Sequence, residues 1–168
     1  MKLLSSNKKN KEAKVKDYIV NNQENFYKIA YSYVKNEDDA LDIVHDAICK
    51  ALYKIDSLKD IEVVKSWFYK ILINSSIDYI RKNYKYISLT EEQFINEHEV
   101  HDRYHDIDLE KALDILPEDY RIIIVLRYFE DMKIEDIANV LSENTNTVKT
   151  KLYKGLRRLR IKIKTEDY

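Results

Sequence analysis

The sequence predicts an all-α fold of two small helical domains joined by a flexible acidic linker, with a helix-turn-helix in the C-terminal domain. The 168 residues include one glycine and one proline, too few for a fold rich in β-turns. Apolar residues make up 45% of the chain and recur at helical spacing in nearly every long segment. Residues 83–116 hold 3 basic and 9 acidic residues, so a strongly acidic segment separates two parts of nearly balanced charge.

The first domain is expected over residues 11–83, after a mobile lysine-rich tail at 1–10. Helical spacing predicts helices over three segments: 11–34 with a break at Asn21-Asn22, 37–55, and 62–82. Asn36 precedes an acidic run, which is typical of a helix N-terminus. Residues 56–60 are expected to form a loop between the last two helices.

Residues 84–107 have few aliphatic side chains and many acids, which favours a flexible linker between domains. The linker contains three histidines that could chelate a metal if they lay on a helix: His98, His101 and His105. Neither a helical pattern nor a cysteine accompanies them, so we expect no metal site and no cofactor. The second domain then covers residues 108–168, with Pro117 at the start of an apolar core helix.

Two short helices with a polar break between them are predicted near the C-terminus. The first has the apolar row Ile134, Ile137, Ala138 and Leu141. The second has the apolar row Val148, Leu152, Leu156 and Leu159. Residues 142–145 between them are small or polar and suit a turn followed by an N-cap. Because the second helix is also basic, the pair is typical of a helix-turn-helix whose second helix lies in the DNA major groove.

The start of this basic helix favours DNA contact over an ordinary solvated surface. Short polar side chains there can bond base edges and phosphates. No acid follows Glu143 in the first turn, as a helix end that faces phosphate requires. The candidate DNA contacts at this helix start are Asn144, Thr145, Asn146 and Thr147.

Three carboxylates share one side of the helix predicted over 37–55: Asp39, Asp42 and Asp46. A catalytic or metal site needs convergent ligands in a pocket, whereas these lie along one stripe. The stripe is interpreted either as a solvated surface or as a docking surface for a basic partner.

The helix predicted over 62–82 mixes aromatic, amide and basic side chains, which suits single-stranded DNA. Trp67 and Phe68 are more readily explained as core residues, because aromatic side chains at helical spacing usually pack inside. Tyr69, Lys70 and Arg81 are predicted to be exposed.

Composition also limits the cellular setting. The single cysteine, Cys49, excludes an intramolecular disulfide and is predicted to be a buried structural thiol in a reducing cytoplasm. No signal peptide and no membrane-spanning run is expected. The sequence has no nucleotide-binding loop and no metal cluster, so no enzymatic activity is predicted.

These features together resemble the extracytoplasmic-function branch, or group 4, of the bacterial sigma-70 family. The segment from Leu116 to Arg160 is similar to the family's region four almost position for position. The segment DDALDIVHDAICKAL resembles region 2.2, and VKSWFYKILINSSIDYIRK resembles the tryptophan-containing helix beside the minus-10 element. A single helix-turn-helix is a weak signal, but both motifs in this order are specific.

The resemblance implies that the chain binds core RNA polymerase and directs it to promoters. It assigns polymerase binding to Asp39, Asp42, Ile43 and Asp46. It assigns capture of a flipped, single-stranded minus-10 base to Asp56, Ser57, Lys59, Lys70, Asn74 and Arg81. It assigns contact with the minus-35 duplex to eight residues of the basic helix and its cap: Asn144, Thr145, Asn146, Thr147, Lys149, Thr150, Lys151 and Lys154. It also implies an anti-sigma partner, which in this family is often membrane-anchored.

The resemblance has three departures. Ser142 and Glu143 stand in the turn where glycine and an aliphatic residue are usual, so we expect a looser turn. Gly155 stands in the basic helix where alanine is frequent, at an expected cost of about 1 kcal/mol.

The rival interpretation is a stand-alone helix-turn-helix regulator that binds palindromic sites as a homodimer.

Overall fold

A computed structural model of the chain describes residues 2–87, 113 and 116–166. All regular elements in these residues are helical, as predicted. The main division into two compact units falls between Lys82 and Asn83. The predicted linker from residue 88 onward, with its three histidines, lies outside the described residues.

The N-terminal unit contains four α-helices: α1 Lys2–Asn21, α2 Gln23–Val34, α3 Glu37–Tyr53 and α4 Val64–Ile87. The predicted break at Asn21-Asn22 is confirmed, because α1 ends there and α2 begins immediately afterwards. Residues 2–10 belong to α1 and not to a separate tail. The N-terminus of α3 is capped as the sequence indicates, since the Asn36 side chain accepts the Asp39 N–H at 2.9 Å.

An aromatic cluster forms the centre of the N-terminal unit. The Phe26 ring lies 4.2 Å from the Phe68 ring and 5.6 Å from the Tyr69 ring, centroid to centroid. The Tyr18 ring of α1 lies 5.9 Å from the Phe26 ring and 6.4 Å from the Phe68 ring. The burial of Phe68 is therefore confirmed, but the predicted exposure of Tyr69 is wrong, because its side chain is fully buried in this cluster.

Cys49 differs from its prediction as well. The thiol is exposed on α3, whereas Ala47 and Ala51 beside it are fully buried. Helical spacing shows that an apolar row exists, but it does not show where the row ends, and Cys49 lies just beyond its edge.

In its described residues over 118–166 the C-terminal unit has three α-helices: α5 Glu118–Ile124, α6 Ile134–Leu141 and α7 Thr145–Glu166. A π-helical turn, Val125–Phe129, continues α5. The core includes apolar side chains from all of these elements, among them Ile122, Ile123, Leu126, Ile137, Ala138, Val148 and Leu152. The predicted helix-turn-helix is therefore present, supported by α5 as expected.

Gly155 allows α5 and α7 to approach closely. A Cβ at this position would lie 2.9 Å from Ile124 Cδ1 and 3.1 Å from Tyr120 Cβ. Close packing of α5 against α7 therefore explains why glycine occupies this position, which helix propensity alone does not explain. The close contact of the two helices offsets the low helix propensity of glycine.

Candidate nucleic-acid interface

The turn before α7 is built from backbone and side-chain hydrogen bonds. Ser142 takes the left-handed conformation, with φ of 55°, where glycine would be unstrained. The Glu143 N–H donates to the Ala138 carbonyl at 2.9 Å. The Asn144 Oδ1 accepts the Asn146 N–H at 2.8 Å. Asn144 is thus the N-cap of α7, and its side-chain oxygen is occupied by this bond.

Most of the predicted DNA contacts lie on one exposed surface of α7. We call it the α7 stripe: Asn146, Thr147, Lys149, Thr150 and Lys154. Thr145 at the helix start is half-exposed. The Thr150 hydroxyl donates to the Asn146 carbonyl at 2.9 Å, which leaves its methyl group on the surface. No acidic residue occurs in the first turn of α7, so the positive end of the helix dipole is not neutralised there.

Sequence reasoning missed Tyr153. Its side chain is 70% exposed and lies three and four positions after Thr150 and Lys149, on the same side of α7. Helical spacing from Lys149 was the available signal, but aromatic residues in an amphipathic helix are usually assigned to the core. An exposed ring on this surface can contact a thymine methyl group.

Lys151 does not belong to the α7 stripe, although it was predicted to contact DNA. Its Nζ lies 2.6 Å from Glu143 Oε1 and 3.1 Å from Asp119 Oδ2. Only 22% of the Lys151 side chain is exposed. Burial alone would lower the pKa of Lys151, but hydrogen bonds and charge from Glu143 and Asp119 raise it above its ordinary value. The ammonium therefore stays charged and is engaged within the protein.

The candidate single-strand site combines a loop with one side of α4. Asp56, Ser57 and Lys59 lie on the loop and are exposed. The candidate residues of α4 are also exposed: Lys70, Asn74 and Arg81. They share one side of the helix, because Asn74 and Arg81 lie four and eleven positions after Lys70.

The loop between α3 and α4 is held in place from three directions. It contains two short 3₁₀ turns, Ile55–Ser57 and Ile61–Val63. The Leu58 side chain is buried, and its carbonyl accepts a hydrogen bond from Lys11 Nζ of α1 at 2.5 Å. The Trp67 indole N–H of α4 donates to Ser57 Oγ at 3.1 Å. The loop is therefore ordered by the protein itself before any DNA is bound.

The acidic stripe on α3 is tied to α4. The Tyr79 hydroxyl donates to Asp39 Oδ1 at 2.6 Å. Lys50 Nζ lies 2.6 Å from Asp46 Oδ2 and donates to Ser75 Oγ at 3.0 Å. Burial alone would raise the pKa of Asp46, but hydrogen bonds from Lys50 and Ser75 and the charges of nearby lysines hold it below its ordinary value.

Ile43 was predicted to contact the polymerase together with the three aspartates, and its placement corrects that assignment. Its side chain is 1% exposed and packs in the core, whereas Asp42 is exposed. Ile43 shares a side of the helix with the aspartates by spacing, but that side straddles the edge of the core. It can support the docking surface only from inside.

Neither a metal-ion site nor a membrane-spanning helix is found in the part of the chain that the structure describes. No group of three or more His, Cys, Asp or Glu side chains able to hold a metal ion occurs there. None of the described helices has the length and apolar character needed to span a membrane.

Comparisons with known proteins identify the two units. A family profile described as Sigma-70 region 2 matches residues 19–86, and one described as Sigma-70, region 4 matches residues 106–159. RNA polymerase sigma factor SigV of Bacillus subtilis is 48% identical over 151 residues, covering 89% of this chain and 90% of that protein. ECF RNA polymerase sigma factor SigW of the same organism is 26% identical, covering 82% of each chain.

Solved structures agree with the fold. The sigma factor RpoE of Bartonella quintana, in complex with the anti-sigma factor NepR, superposes with a TM-score of 0.77 at 27% identity, covering 89% of this chain and 96% of that chain. CnrH, solved with the cytosolic domain of CnrY, has the same fold with a TM-score of 0.64 at 18% identity, covering 90% of this chain and 88% of that chain.

Two such regions in one chain, the second a helix-turn-helix, define a promoter-recognition factor of RNA polymerase. The chain belongs to the extracytoplasmic-function branch of the sigma-70 family. It is an alternative sigma factor, which binds core RNA polymerase and directs transcription initiation at promoters. Sigma factors are initiation factors and not catalysts.

Proposed function

We propose that the α7 stripe reads the minus-35 duplex. The observation that carries this proposal is an exposed surface with two lysines, short polar side chains and no acid at the helix start. Polar side chains near the start of a helix reach base edges, and the lysines neutralise phosphates. Thr145 and the amide group of Asn144 lie at the same helix end, and Tyr153 extends the surface toward the C-terminus.

The single-strand site is proposed to receive a base flipped out of the melted minus-10 strand. Lys59, Lys70 and Arg81 supply cations for the strand's phosphates, and Asn74 supplies amide groups for a base edge. The fixed loop supports this role, because a loop already ordered loses less conformational entropy when DNA binds. Asp56 and Ser57 complete the loop's exposed edge.

The acidic stripe is proposed to dock on the clamp helices of the polymerase's largest subunit. Asp42 and Asp46 are exposed on one side of α3, and Asp39 lies beside them, so a basic surface can face all three. Ile43 then acts only by anchoring this part of α3 in the core.

The two domains are proposed to cover residues 11–83 and 108–168, with an acidic linker at 84–107. The acidic linker is proposed to run toward the RNA exit path of the polymerase. The chain carries out no reaction of its own, and it works in the cytoplasm because polymerase and promoter DNA are there.

An anti-sigma protein is also proposed as a partner. RpoE of Bartonella quintana was solved with the anti-sigma factor NepR, and CnrH with the cytosolic domain of CnrY. Recovery of core polymerase as the sole partner in a pull-down from its own cells would contradict this.

The test of the promoter assignment is transcription in vitro. The purified chain is added to core RNA polymerase with fragmented genomic DNA, and the transcript starts are mapped. We expect starts that depend on the chain and share one sequence near minus-10 and another near minus-35. A chain that binds palindromic sites as a dimer and gives no new starts with polymerase would instead be a stand-alone regulator.

A further inference from the structure

Lys151 has a charge environment unlike that of the neighbouring lysines of α7. Its ammonium lies between two carboxylates, at 2.6 Å from Glu143 and 3.1 Å from Asp119. An ammonium has three donors, and two are engaged here. By contrast, Lys149 and Lys154 are exposed, and the described residues show no ion pair to either.

The three charged groups come from three different parts of the C-terminal unit. Glu143 belongs to the turn of the helix-turn-helix, Asp119 to the first turn of α5, and Lys151 to the second turn of α7. One ammonium therefore links the turn and α5 to α7 through ion pairs.

Two features of the turn before α7 are unfavourable without stabilising contacts. Ser142 adopts a left-handed conformation that is strained for a residue with a Cβ. Glu143 replaces the aliphatic side chain that would pack under the turn. Its carboxylate is mostly buried, and its side chain is 27% exposed. A buried carboxylate needs a charged partner, because an unpaired one is strongly destabilising.

We propose that Lys151 is a positioning residue: its ion pairs with Glu143 and Asp119 set the orientation of α7 and do not leave it free to neutralise a DNA phosphate. This inference rests on the proposed reading of the minus-35 duplex by α7. Of the three candidate lysines on α7, it leaves Lys149 and Lys154 as the phosphate contacts.

The test compares Lys151→Gln with the matched control Lys149→Gln. Holoenzyme reconstituted from the full chain binds a promoter duplex taken from the mapped starts, and the affinity is measured between about 50 and 200 mM salt. A lysine that neutralises one phosphate contributes about 0.9 to the slope of log affinity against log salt concentration. Its loss therefore reduces the fall in affinity over this salt range by a factor of about 3.5. We expect that change for Lys149→Gln.

For Lys151→Gln we expect weaker binding with an unchanged salt slope, at a temperature where the variant is folded. A reduced slope equal to that of Lys149→Gln would overturn the proposal, since Lys151 would then be a phosphate contact. Unchanged affinity and unchanged slope would also overturn it, since the ion pairs would then be only structural.

A second measurement needs no DNA and separates this proposal from the proposed function. Local opening of α7 is followed by hydrogen exchange in the full chain for Glu143→Gln, Lys151→Gln and the double variant. We expect the double variant to open less than the product of the two single effects predicts, by at least about twofold. Effects that simply multiply would refute the ion-pair network even if the chain is a working sigma factor.

Discussion

Gly155→Ala should destabilise the C-terminal unit, although alanine is the better helix former. Alanine gains about 1 kcal/mol of helix propensity over glycine. The new Cβ would lie 2.9 Å from Ile124 Cδ1 and 3.1 Å from Tyr120 Cβ. Tyr120 Cβ is the root of its side chain and cannot rotate away, and Ile124 is 3% exposed, so its end must find space inside the core.

The steric cost decides the sign of this change. Overpacking a well-packed core costs about 1–3 kcal/mol, which exceeds the propensity gain at its midpoint by about 1 kcal/mol. That difference corresponds to about fivefold more local opening. Hydrogen exchange over α5 and α7, read by mass spectrometry in the full chain, measures this unit without interference from the other.

Ile124→Val provides a direct check of the cause. Alone it should destabilise by about 0.5–1.5 kcal/mol, because it removes a buried methyl group. Combined with Gly155→Ala it should cost less than the sum, because the alanine Cβ occupies the space that the methyl group left. Lys154→Ala, at an exposed neighbouring position, should change stability by less than about 0.5 kcal/mol. If Gly155→Ala slowed exchange by the full propensity gain, the close-contact explanation would be refuted.

Three further predictions concern the N-terminal unit. Lys11→Met should speed hydrogen exchange in the loop at residues 55–63 and reduce promoter melting, because the loop loses its bond to α1. Asp42→Arg with Asp46→Arg should weaken binding to core polymerase at least tenfold by charge reversal, without unfolding the chain. Lys50→Met should raise the pKa of Asp46, followed by NMR titration, because it removes the principal hydrogen bond and charge that lower it.

Each has its own contrary outcome. Unaltered exchange in the loop after Lys11→Met would show that α1 does not hold it. The double aspartate variant is compared with Asp17→Arg, an exposed position on α1, and equal binding of both would refute the docking surface. Because the folded pKa of Asp46 is depressed, its stabilisation is present above the unfolded pKa and is lost as pH falls through the folded value. Wild-type chain that loses no more stability than Lys50→Met in that acidic range would contradict this sign.

The sequence predicts the helices well and the edges of the core poorly. Asn36, Asn144 and the polar break before α7 have local causes, so they are readable from spacing and capping chemistry. Ile43 and Tyr69 illustrate the limit. Both lie beside a residue of opposite burial on the same helix, and which one faces inward depends on the neighbouring helix. The Tyr69 ring packs against Phe26 of α2, and no local pattern in α4 predicts that contact.

Lys151 shows a deeper limit, because its role depends on a partner 32 residues away in the chain. By composition it is one more cation of a basic helix. Lys11 and Lys50 also have distant partners. Lys11 Nζ is bonded to the Leu58 carbonyl, and Lys50 Nζ is bonded to Ser75 Oγ as well as to the nearby Asp46. A count of basic residues therefore overstates the charge available to nucleic acid.

This distinction has a measurable consequence for the whole molecule. The salt dependence of DNA binding reports only the cations that displace counterions from phosphate. The cations proposed for that role are exposed in the structure: Lys59, Lys70, Arg81, Lys149 and Lys154. Lysines with intramolecular partners cannot add to the slope without giving up those partners, and Lys151 would leave a mostly buried carboxylate unpaired if it did. Replacing each of the five exposed cations in turn should therefore lower the salt slope of DNA binding stepwise. Replacing a lysine that has an intramolecular partner should change the local structure and the DNA affinity and leave the salt slope unchanged.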